Sequence, residues 1–151
     1  MTTDPETSAS SLPGFQMKLH HVGIVVADLD AAVTQYATLG FALAGREVVT
    51  EQGVAVAAFL APPGYVELIS PLDGGGAIAR FLAKRGDGMH HVAYRVADIV
   101  AALDRFDAAG IRLIDRTPRV GLHGWRVAFI HPDACAGVLT ELVEVCSPTT
   151  Q

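Results

Sequence analysis

The sequence predicts an α+β fold in which two tandem βαβββ modules form a curved sheet around a metal site. The first observation behind this prediction is an internal repeat: His20-His21-Val22 returns as His90-His91-Val92 at an offset of 70 residues. The second is that each copy begins with a histidine-bearing strand and ends with a strand that carries a glutamate, Glu67 or Glu141. Two pseudo-symmetric copies can therefore bring two His and two Glu side chains to one centre.

The repeat continues along most of each copy. At the same offset Val26-Ala27-Asp28 matches Val96-Ala97-Asp98, and Ala58-Phe59 matches Ala128-Phe129. After a short insertion, the two glutamate motifs, Tyr-Val-Glu-Leu-Ile and Leu-Thr-Glu-Leu-Val, match as well. Because there are only two copies and each mixes strands with a helix, the pattern argues against a helical array or a propeller.

The first copy is expected to form one strand, one helix and three further strands. Asp28 can cap the N-terminus of the helix, and Gly40 can end it as the residue that follows the C-cap. Between them, apolar side chains recur at helical spacing. The predicted strands cover residues 19–26, 41–49, 53–60 and 65–69.

The second copy repeats this order. Asp98 is the expected N-cap of its helix and Gly110 the expected stop. Its predicted strands cover residues 90–96, 112–115, 126–131 and 138–145.

One domain is expected after an N-terminal tail. Residues 1–16 are rich in Thr, Ser, Pro and acidic residues and lack the features of a signal peptide, which predicts a flexible tail. Residues 17–146 then form a single domain. It comprises module 1 (18–72), a linker (73–87) and module 2 (88–146). The linker contains a Gly-rich hinge and a short helix at 77–84.

Composition narrows the possible functions. Half of the 151 residues are hydrophobic and 18% are charged, which is typical of a compact globular chain. A net charge of −5 argues against nucleic-acid binding, because phosphate contacts need a basic face. No apolar run is long enough for a membrane span. Two cysteines, Cys135 and Cys146, form no disulfide framework, so a cytoplasmic enzyme is expected and both are interpreted as bystanders.

The paired His and Glu residues predict a divalent metal site. In a strand, alternate side chains face opposite sides, so Glu67 and Glu141 face away from their hydrophobic neighbours. An acid on an otherwise apolar face is costly unless a cation neutralises it. Two imidazoles and two carboxylates suit Co, Mn, Ni, Zn or Fe(II). The repeat alone does not decide which His of each doublet, His20-His21 or His90-His91, is the ligand.

The motifs resemble the vicinal oxygen chelate superfamily, whose paired βαβββ modules curl around a metal, and more specifically its methylmalonyl-CoA epimerase family. The resembling stretches span nearly everything after the tail. They are residues 19–33, Glu-Gln-Gly-Val (51–54), Val-Glu-Leu-Ile-Ser-Pro-Leu (66–72), 78–84, Gly-Met-His-His-Val-Ala (88–93), His-Pro (131–132) and Gly-Val-Leu-Thr-Glu-Leu (137–142). The linker helix and the C-terminal motifs are the parts most particular to the epimerases.

The resemblance implies a ligand set and a reaction. The metal ligands carried over are His21, Glu67, His91 and Glu141, with Co²⁺ as the expected ion and Mn²⁺, Ni²⁺, Zn²⁺ or Fe²⁺ as alternatives. The implied reaction is epimerisation of an acyl-CoA at the carbon between a thioester and a carboxylate, with Glu141 as both ligand and base. The resemblance also suggests a homodimer.

Two positions depart from the family pattern. Many of these epimerases carry a second Glu three residues after the Gly of Glu-Gln-Gly-Val, where it is proposed as a proton-transfer base, but this chain has Val56. Glu51 is the candidate that the sequence offers in its place. The family's Lys after His-Pro is also replaced, by Asp133.

An acyl-CoA carries phosphates, so cationic side chains are expected near the mouth of the site. Arg80 and Lys84 lie one helical turn apart, and Arg119 and Arg126 flank a predicted mobile loop at 121–124. Each could equally be an ordinary surface charge. Trp125 either caps the pocket or packs in the core.

Other functions remain open at the level of sequence. Glyoxalase I also uses two His and two Glu, whereas extradiol dioxygenases use two His and one Glu, and a metal-free binding module would have no need of the ligand set. A relative recruited to a biosynthetic pathway, acting on another 1,3-dicarbonyl or α-hydroxy-carbonyl compound, is the alternative that Val56 favours.

Overall fold

A single mixed sheet of eight strands organises the molecule, with two of its three helices packed on its convex side. The computed structural model describes residues 15–146. The strands lie in the order β2-β3-β4-β1-β5-β8-β7-β6. The strands are β1 (Lys18–Val25), β2 (Ala42–Val49), β3 (Val54–Ala61), β4 (Gly64–Pro71), β5 (Gly88–Arg95), β6 (Arg119–Val120), β7 (Arg126–Ile130) and β8 (Thr140–Glu144), and the helices are α1 (Leu29–Thr38), α2 (Gly76–Arg85) and α3 (Ile99–Ala108).

The two βαβββ modules meet at the centre of this sheet. β1 pairs antiparallel with β5 across the junction, β1 pairs parallel with β4, and β5 pairs parallel with β8. Each half of the sheet is therefore a copy of the other, running outward from its first strand through its fourth, third and second. The α+β fold and the tandem modules are confirmed.

The helices begin and end where the sequence predicts. The side chains of Asp28 and Asp98 accept hydrogen bonds from the backbone N–H groups of Ala31 and Ala101, 3.0 Å away in both cases. Gly40 (φ 95°) follows the C-cap of α1 in a conformation that only glycine adopts easily. α1 and α3 cover the convex face through two apolar clusters, which include Phe59 and Leu142. The concave face stays free for a site.

One predicted strand is wrong. Residues 112–115 form only an isolated bridge through Leu113, and the edge strand of module 2 is the two-residue β6. The reason lies in Asp115, whose carboxylate accepts a hydrogen bond (2.9 Å) from the backbone N–H of Phe129. A short polar side chain here takes the place of a backbone partner, which interrupts the ladder.

In the third strand of each module, the structural equivalence of the two copies differs by one residue from the match of their sequences. Ala58 pairs with Glu67, whereas it is Phe129, not Ala128, that pairs with Glu141. Ala58 is therefore structurally equivalent to Phe129, and the sequence match of Ala58-Phe59 with Ala128-Phe129 is wrong by one position. A slip of one residue reverses the face of every side chain in a strand, so this difference changes the concave surface.

The domain begins at or before Phe15. The Phe15 ring packs edge-on against Phe106, with ring centroids 5.6 Å apart, and Arg105 lies over it at 4.8 Å. The remainder of the predicted tail lies outside the described residues. Within residues 15–146, no helix combines the length and apolar character that crossing a membrane would require.

Candidate metal centre

Two rows of the central sheet place the four predicted ligands on the concave face. Residues paired across adjacent strands point to the same side. One row runs from Glu67 on β4 through Gly23 on β1 to His91 on β5. The other runs from His21 on β1 through Ala93 on β5 to Glu141 on β8. Each module therefore supplies a His to one row and a Glu to the other.

The four side chains form one continuous cluster, in which His21 contacts each of the other three. The Nε2 atoms of His21 and His91 are 2.9 Å apart, and the His21 Nε2 lies 3.2 Å from Glu67 Oε2 and 3.7 Å from Glu141 Oε1. The His91 Nε2 lies 3.5 Å from Glu141 Oε2. All four residues are at most 8% exposed.

These distances fit a single divalent ion. With metal–ligand bonds of about 2.1 Å, adjacent ligands of an octahedron stand about 3 Å apart, and those of a tetrahedron about 3.4 Å. The observed spacing of 2.9–3.7 Å covers this range. The four predicted ligands are divided between two overlapping groups of potential ligands, His21-His91-Glu141 and His20-His21-Glu67, each with its ligand atoms within 4.8 Å of one another. Neither cysteine belongs to a potential metal-binding group within the described residues, and Cys135 packs against the α3 cluster.

The structure also distinguishes the two members of each histidine doublet. The Nδ1 of His21 contacts the Nδ1 of His20 at 2.7 Å, and the Nδ1 of His91 contacts that of His90 at 3.0 Å. In both cases the first His touches the ring nitrogen that faces away from the cluster. His20 and His90 therefore orient the ligands and leave Nε2 of His21 and His91 available to an ion.

Two β-bulges allow consecutive histidines to point inward together. In the pairing of β1 with β5, Leu19 is followed by His21 on one strand, and His91 is followed by Met89 along the other. His20 and His90 are thus the unpaired residues of two bulges. A bulge redirects a side chain that would otherwise lie on the opposite face. Each bulge therefore allows both histidines of its doublet to lie on the concave face.

Burial sets the protonation of the cluster when no cation is bound. Burial, followed by the nearby imidazoles, lowers the pKa of His21 to about 2, and burial together with His90 lowers that of His91 to about 3. Burial and the charge of Glu47 raise the pKa of Glu67 to about 7. Burial and the Glu67 carboxylate likewise raise the pKa of Glu141 well above its usual range. Neutral imidazoles are ready to bind a metal, whereas the two carboxyl groups need a cation to ionise together.

Gly23 is required for this packing. A Cβ atom at this position would overlap the ring of His91, which lies directly over the Gly23 backbone. The equivalent residue in the other row is Ala93, which has a side chain. The His91 ring therefore approaches the sheet more closely than a larger residue would allow.

Two connected cavities lie on the concave face. A cavity of about 70 Å³ is lined by the four ligands, and we call it the metal cavity. A larger one of about 260 Å³, the side cavity, extends over module 1 between Ala44, Gly45 and Ala58. Glu67, Val56, Leu122 and Trp125 line both cavities and mark their junction.

Some of the predicted substrate contacts lie at a cavity and others do not. Arg80 and Lys84 line a third cavity of about 780 Å³, which also contacts His90 and His91. Arg119 and Arg126 instead pair with Asp115 (3.0 Å) and Glu144 (3.4 Å), respectively.

Glu51 is not placed at the metal cavity. It is exposed in a 3-10 turn (Thr50–Gln52), and the neighbouring Gln52 lines the cavity instead. Sequence reasoning missed two residues that do line the side cavity, Glu47 and His123. A signal for Glu47 was present, since it and Val56 flank the turn between two predicted strands.

Comparisons with known proteins agree with this architecture. Residues 20–129 match the family model for the glyoxalase/bleomycin resistance protein/dioxygenase superfamily. The ethylmalonyl-CoA/methylmalonyl-CoA epimerase of Cereibacter sphaeroides is 42% identical over 131 residues, which cover 85% of this chain and 98% of that protein.

Solved structures show the same likeness. The methylmalonyl-CoA epimerase of Mycobacterium tuberculosis superposes with a TM-score of 0.81 at 42% identity, over 86% of this chain and 89% of that one. The Streptomyces coelicolor epimerase in complex with 2-nitronate-propionyl-CoA gives 0.81 at 38% identity, over 87% and 100%. The chain belongs to the glyoxalase/bleomycin resistance/dioxygenase superfamily and, within it, to the methylmalonyl-CoA epimerase family.

Proposed function

We propose that this protein is a metal-dependent epimerase that interconverts (2R)- and (2S)-methylmalonyl-CoA. The observation that carries the proposal is the cluster of His21, Glu67, His91 and Glu141, linked by contacts of 2.9–3.7 Å through His21 and His91, in a chain of this family. Relatives that are 35–42% identical are named as epimerases of this substrate, and solved relatives hold methylmalonyl-CoA or a nitronate analogue of it.

The four ligands define what the site can do chemically. A divalent ion held there supplies Lewis-acid stabilisation to the negative charge that develops when the α-proton leaves. We assign the proton transfer to Glu141, and its position among the buried residues of the metal cavity supports this assignment. His21 and His91 would act as neutral ligands, and Glu67 would supply a second negative charge to the ion.

Cobalt is the ion that we propose, with Mn²⁺, Ni²⁺, Zn²⁺ and Fe²⁺ as alternatives. The support is the donor set, since two imidazoles and two carboxylates suit these borderline ions better than Ca²⁺ or a thiolate-preferring metal.

The CoA moiety is proposed to lie along α2. Arg80 and Lys84 are exposed on this helix beside the cavity of about 780 Å³, and His90 and His91 connect that cavity to the metal centre. Their positive charges suit the phosphates of CoA. We further propose a cytoplasmic homodimer, which rests on the family resemblance and on two free cysteines, Cys135 and Cys146.

Exchange of the α-proton tests the proposed function. Cobalt-loaded protein is incubated with one isomer of methylmalonyl-CoA in D2O, and deuterium uptake and configuration are followed by mass spectrometry and a stereospecific coupled assay. Metal-dependent exchange with inversion is expected, and EDTA-treated protein serves as the control. Absence of exchange in protein with full metal occupancy would reject the assignment.

A second candidate substrate class follows from Val56 and the side cavity. The position where many epimerases carry a Glu is apolar here, and Ala44, Gly45 and Ala58 leave room beside it. Another 2-substituted 1,3-dicarbonyl CoA ester would fit this space. Parallel exchange assays with methylmalonyl-CoA and ethylmalonyl-CoA distinguish the two, because the second candidate requires a higher kcat/KM for the larger ester.

A further inference from the structure

The two edges of the curved sheet meet at the mouth of the side cavity. Gln52, which follows β2, donates a hydrogen bond (3.2 Å) to the backbone carbonyl of Val120 on β6. Next to this contact, His123 Nδ1 lies 2.9 Å from Glu47 Oε2. The backbone N–H of His123 also donates to Glu47 Oε1 at 3.4 Å. Two remote segments thus form a histidine–carboxylate pair at the entrance.

Glu47 lies beside Val56, the position at which many epimerases carry a glutamate. The two residues are direct partners in the β2–β3 ladder, so their side chains share the concave face. Both line the side cavity together with Glu67. The Glu47 carboxylate is close enough to Glu67 to contribute to the raised pKa of that ligand. The acid absent from β3 is therefore replaced on the adjacent strand.

The backbone and a neighbouring ring hold His123 in a defined orientation. Its φ of 54° lies in the left-handed region, which is uncommon for a residue with a side chain and often marks a functional position. The His123 ring packs against Trp125 with centroids 4.9 Å apart. Because Nδ1 contacts Glu47, the other ring nitrogen, Nε2, remains for a substrate, and it has no hydrogen-bond partner among residues 15–146.

His123 and Glu141 line different cavities that share a junction. Glu141 lines the metal cavity but not the side cavity, and His123 lines the side cavity but not the metal cavity. An α-carbon held at this junction, beside Val56 and Trp125, would meet Glu141 from the metal cavity and His123 from the side cavity. Inversion requires two proton-transfer groups on different faces of this carbon.

We propose that His123 is the second proton-transfer residue of the epimerase and that Glu47 is its positioning residue. The inference rests on the proposed function. When Glu141 takes the α-proton from one face, the Cα–H electron pair passes into the enolate, and protonated His123 returns a proton from Nε2 to the other face of Cα. The enzyme then holds a protonated Glu141 and a neutral His123. This state is ready for the opposite isomer, or it is reset by proton exchange with water.

Exchange and inversion, measured separately for each isomer in D2O, test this assignment. In His123→Gln, inversion should fall at least ~100-fold, the usual contribution of a positioned acid or base. The isomer whose proton faces Glu141 should still exchange within about tenfold of the wild-type rate, because Glu141 can remove and return a proton on its own face. Glu47→Gln should reduce inversion less, by about tenfold, since it only orients the ring.

Three readouts separate a chemical role from a structural one. Cobalt content and the Kd of 2-nitronate-propionyl-CoA, measured by calorimetry, should stay within about threefold of wild type in His123→Gln. His131→Gln is the matched control, because His131 forms a similar pair with Asp133 (3.5 Å) but lines none of the three cavities described above. It should leave both rates unchanged.

Unchanged inversion in His123→Gln would overturn the inference, as would equal losses of exchange and inversion for both isomers. Absence of exchange in the wild-type protein would instead reject the proposed function, so the two failures are distinguishable.

Discussion

The two modules supply equivalent His and Glu side chains to the candidate metal centre but surround them differently, with an open cavity in module 1 and a packed aromatic ring in module 2. In module 1, Ala58 lies opposite Glu67 and leaves the side cavity open. In module 2, the equivalent residue is Phe129, which lies opposite Glu141 and packs its ring against His91 at 5.6 Å. One half of the duplicated fold therefore carries an open cavity beside its glutamate, while the equivalent space in the other half is filled by the Phe129 ring.

This difference shows how a symmetric scaffold yields an asymmetric reaction centre. The ligands depend on sheet pairings that both modules keep, whereas access depends on single residues that are free to diverge. Arg119 lies over Phe129, 5.6 Å from the ring centroid, and covers this side further. Glu67 and Glu141 occupy equivalent positions in the two modules, yet Glu67 lines both cavities whereas Glu141 lines the metal cavity alone.

Substitution of Glu67 and of Glu141 by glutamine should show the largest difference between the modules, measured as the loss of kcat. Glu141→Gln removes a ligand and the proposed base, so kcat should fall at least ~10³-fold. Glu67→Gln removes only ligand charge, and the resemblance allows Gln here, so kcat should stay within about tenfold at saturating cobalt. Steady-state kinetics of cobalt-loaded protein measure both, and equal losses would contradict distinct roles.

Filling the side cavity tests the difference in access. Ala58→Phe gives module 1 the residue type that module 2 carries at Phe129. The KM for methylmalonyl-CoA should rise at least ~30-fold while cobalt is retained, because an added ring occupies substrate space rather than the ligand cluster. Leu60→Phe is the control, since Leu60 lies two residues further along the same face, 45% exposed and outside the side cavity. An unchanged KM in Ala58→Phe would place the substrate elsewhere.

The central residues of the two ligand rows should respond differently to exchange of Gly and Ala. In Gly23→Ala the added methyl group displaces the His91 ring, so cobalt affinity should fall about 10–100-fold. Ala93→Gly should leave affinity within about threefold and lower the free energy of unfolding by about 1 kcal/mol. Competition titration with a chelator and thermal unfolding report the two effects. Wild-type affinity in Gly23→Ala would mean that the ring position is not needed.

Metal binding should release protons, the smallest of these effects. At pH 6 the carboxyl group of Glu67 is mostly protonated without metal, because burial raises its pKa to about 7, whereas His21 and His91 are already neutral. Metal binding should then release about one proton from Glu67, and burial raises the pKa of Glu141 in the same direction, so cobalt affinity should increase as the pH rises towards 7.

The same pKa shifts contribute to the pH dependence of the stability of the metal-free protein. A raised carboxyl pKa stabilises the folded state most below its unfolded value of 4.5, and this contribution is lost as the pH rises through about 7 for Glu67. Calorimetry of cobalt binding in buffers of different ionisation enthalpy counts the protons that metal binding releases. An affinity that weakens with rising pH would contradict these protonation states.

The sequence predicts the two glutamates and the two histidine doublets because repetition carries the information twice, whereas the choice of His21 and His91 within the doublets comes from the family resemblance. Two His and two Glu recur at matching places in two copies, and the pairing of β1 with β5 follows from the symmetry. The bulges at His20 and His90 were not foreseen, since their presence shows only in the register. They leave His20 and His90 unpaired and turn both members of each doublet towards the concave face.

Residues brought together by the curl of the sheet escaped sequence reasoning. Glu47 and His123 are 76 residues apart and belong to different modules. Their contact depends on the meeting of two sheet edges, which no local pattern records. Glu51 was expected near the site, but the 3-10 turn after β2 leaves it exposed and aims Gln52 inward instead.

A single measurement addresses the central claim that the two modules share one metal ion. X-ray absorption spectroscopy of cobalt-loaded protein, combined with metal analysis, should show one cobalt per chain. Its coordination should contain two imidazoles and oxygen ligands, and the loss of one imidazole in His21→Ala and in His91→Ala should be visible. Sulfur in the coordination sphere, or an unchanged spectrum in either variant, would contradict a centre built from His21, Glu67, His91 and Glu141.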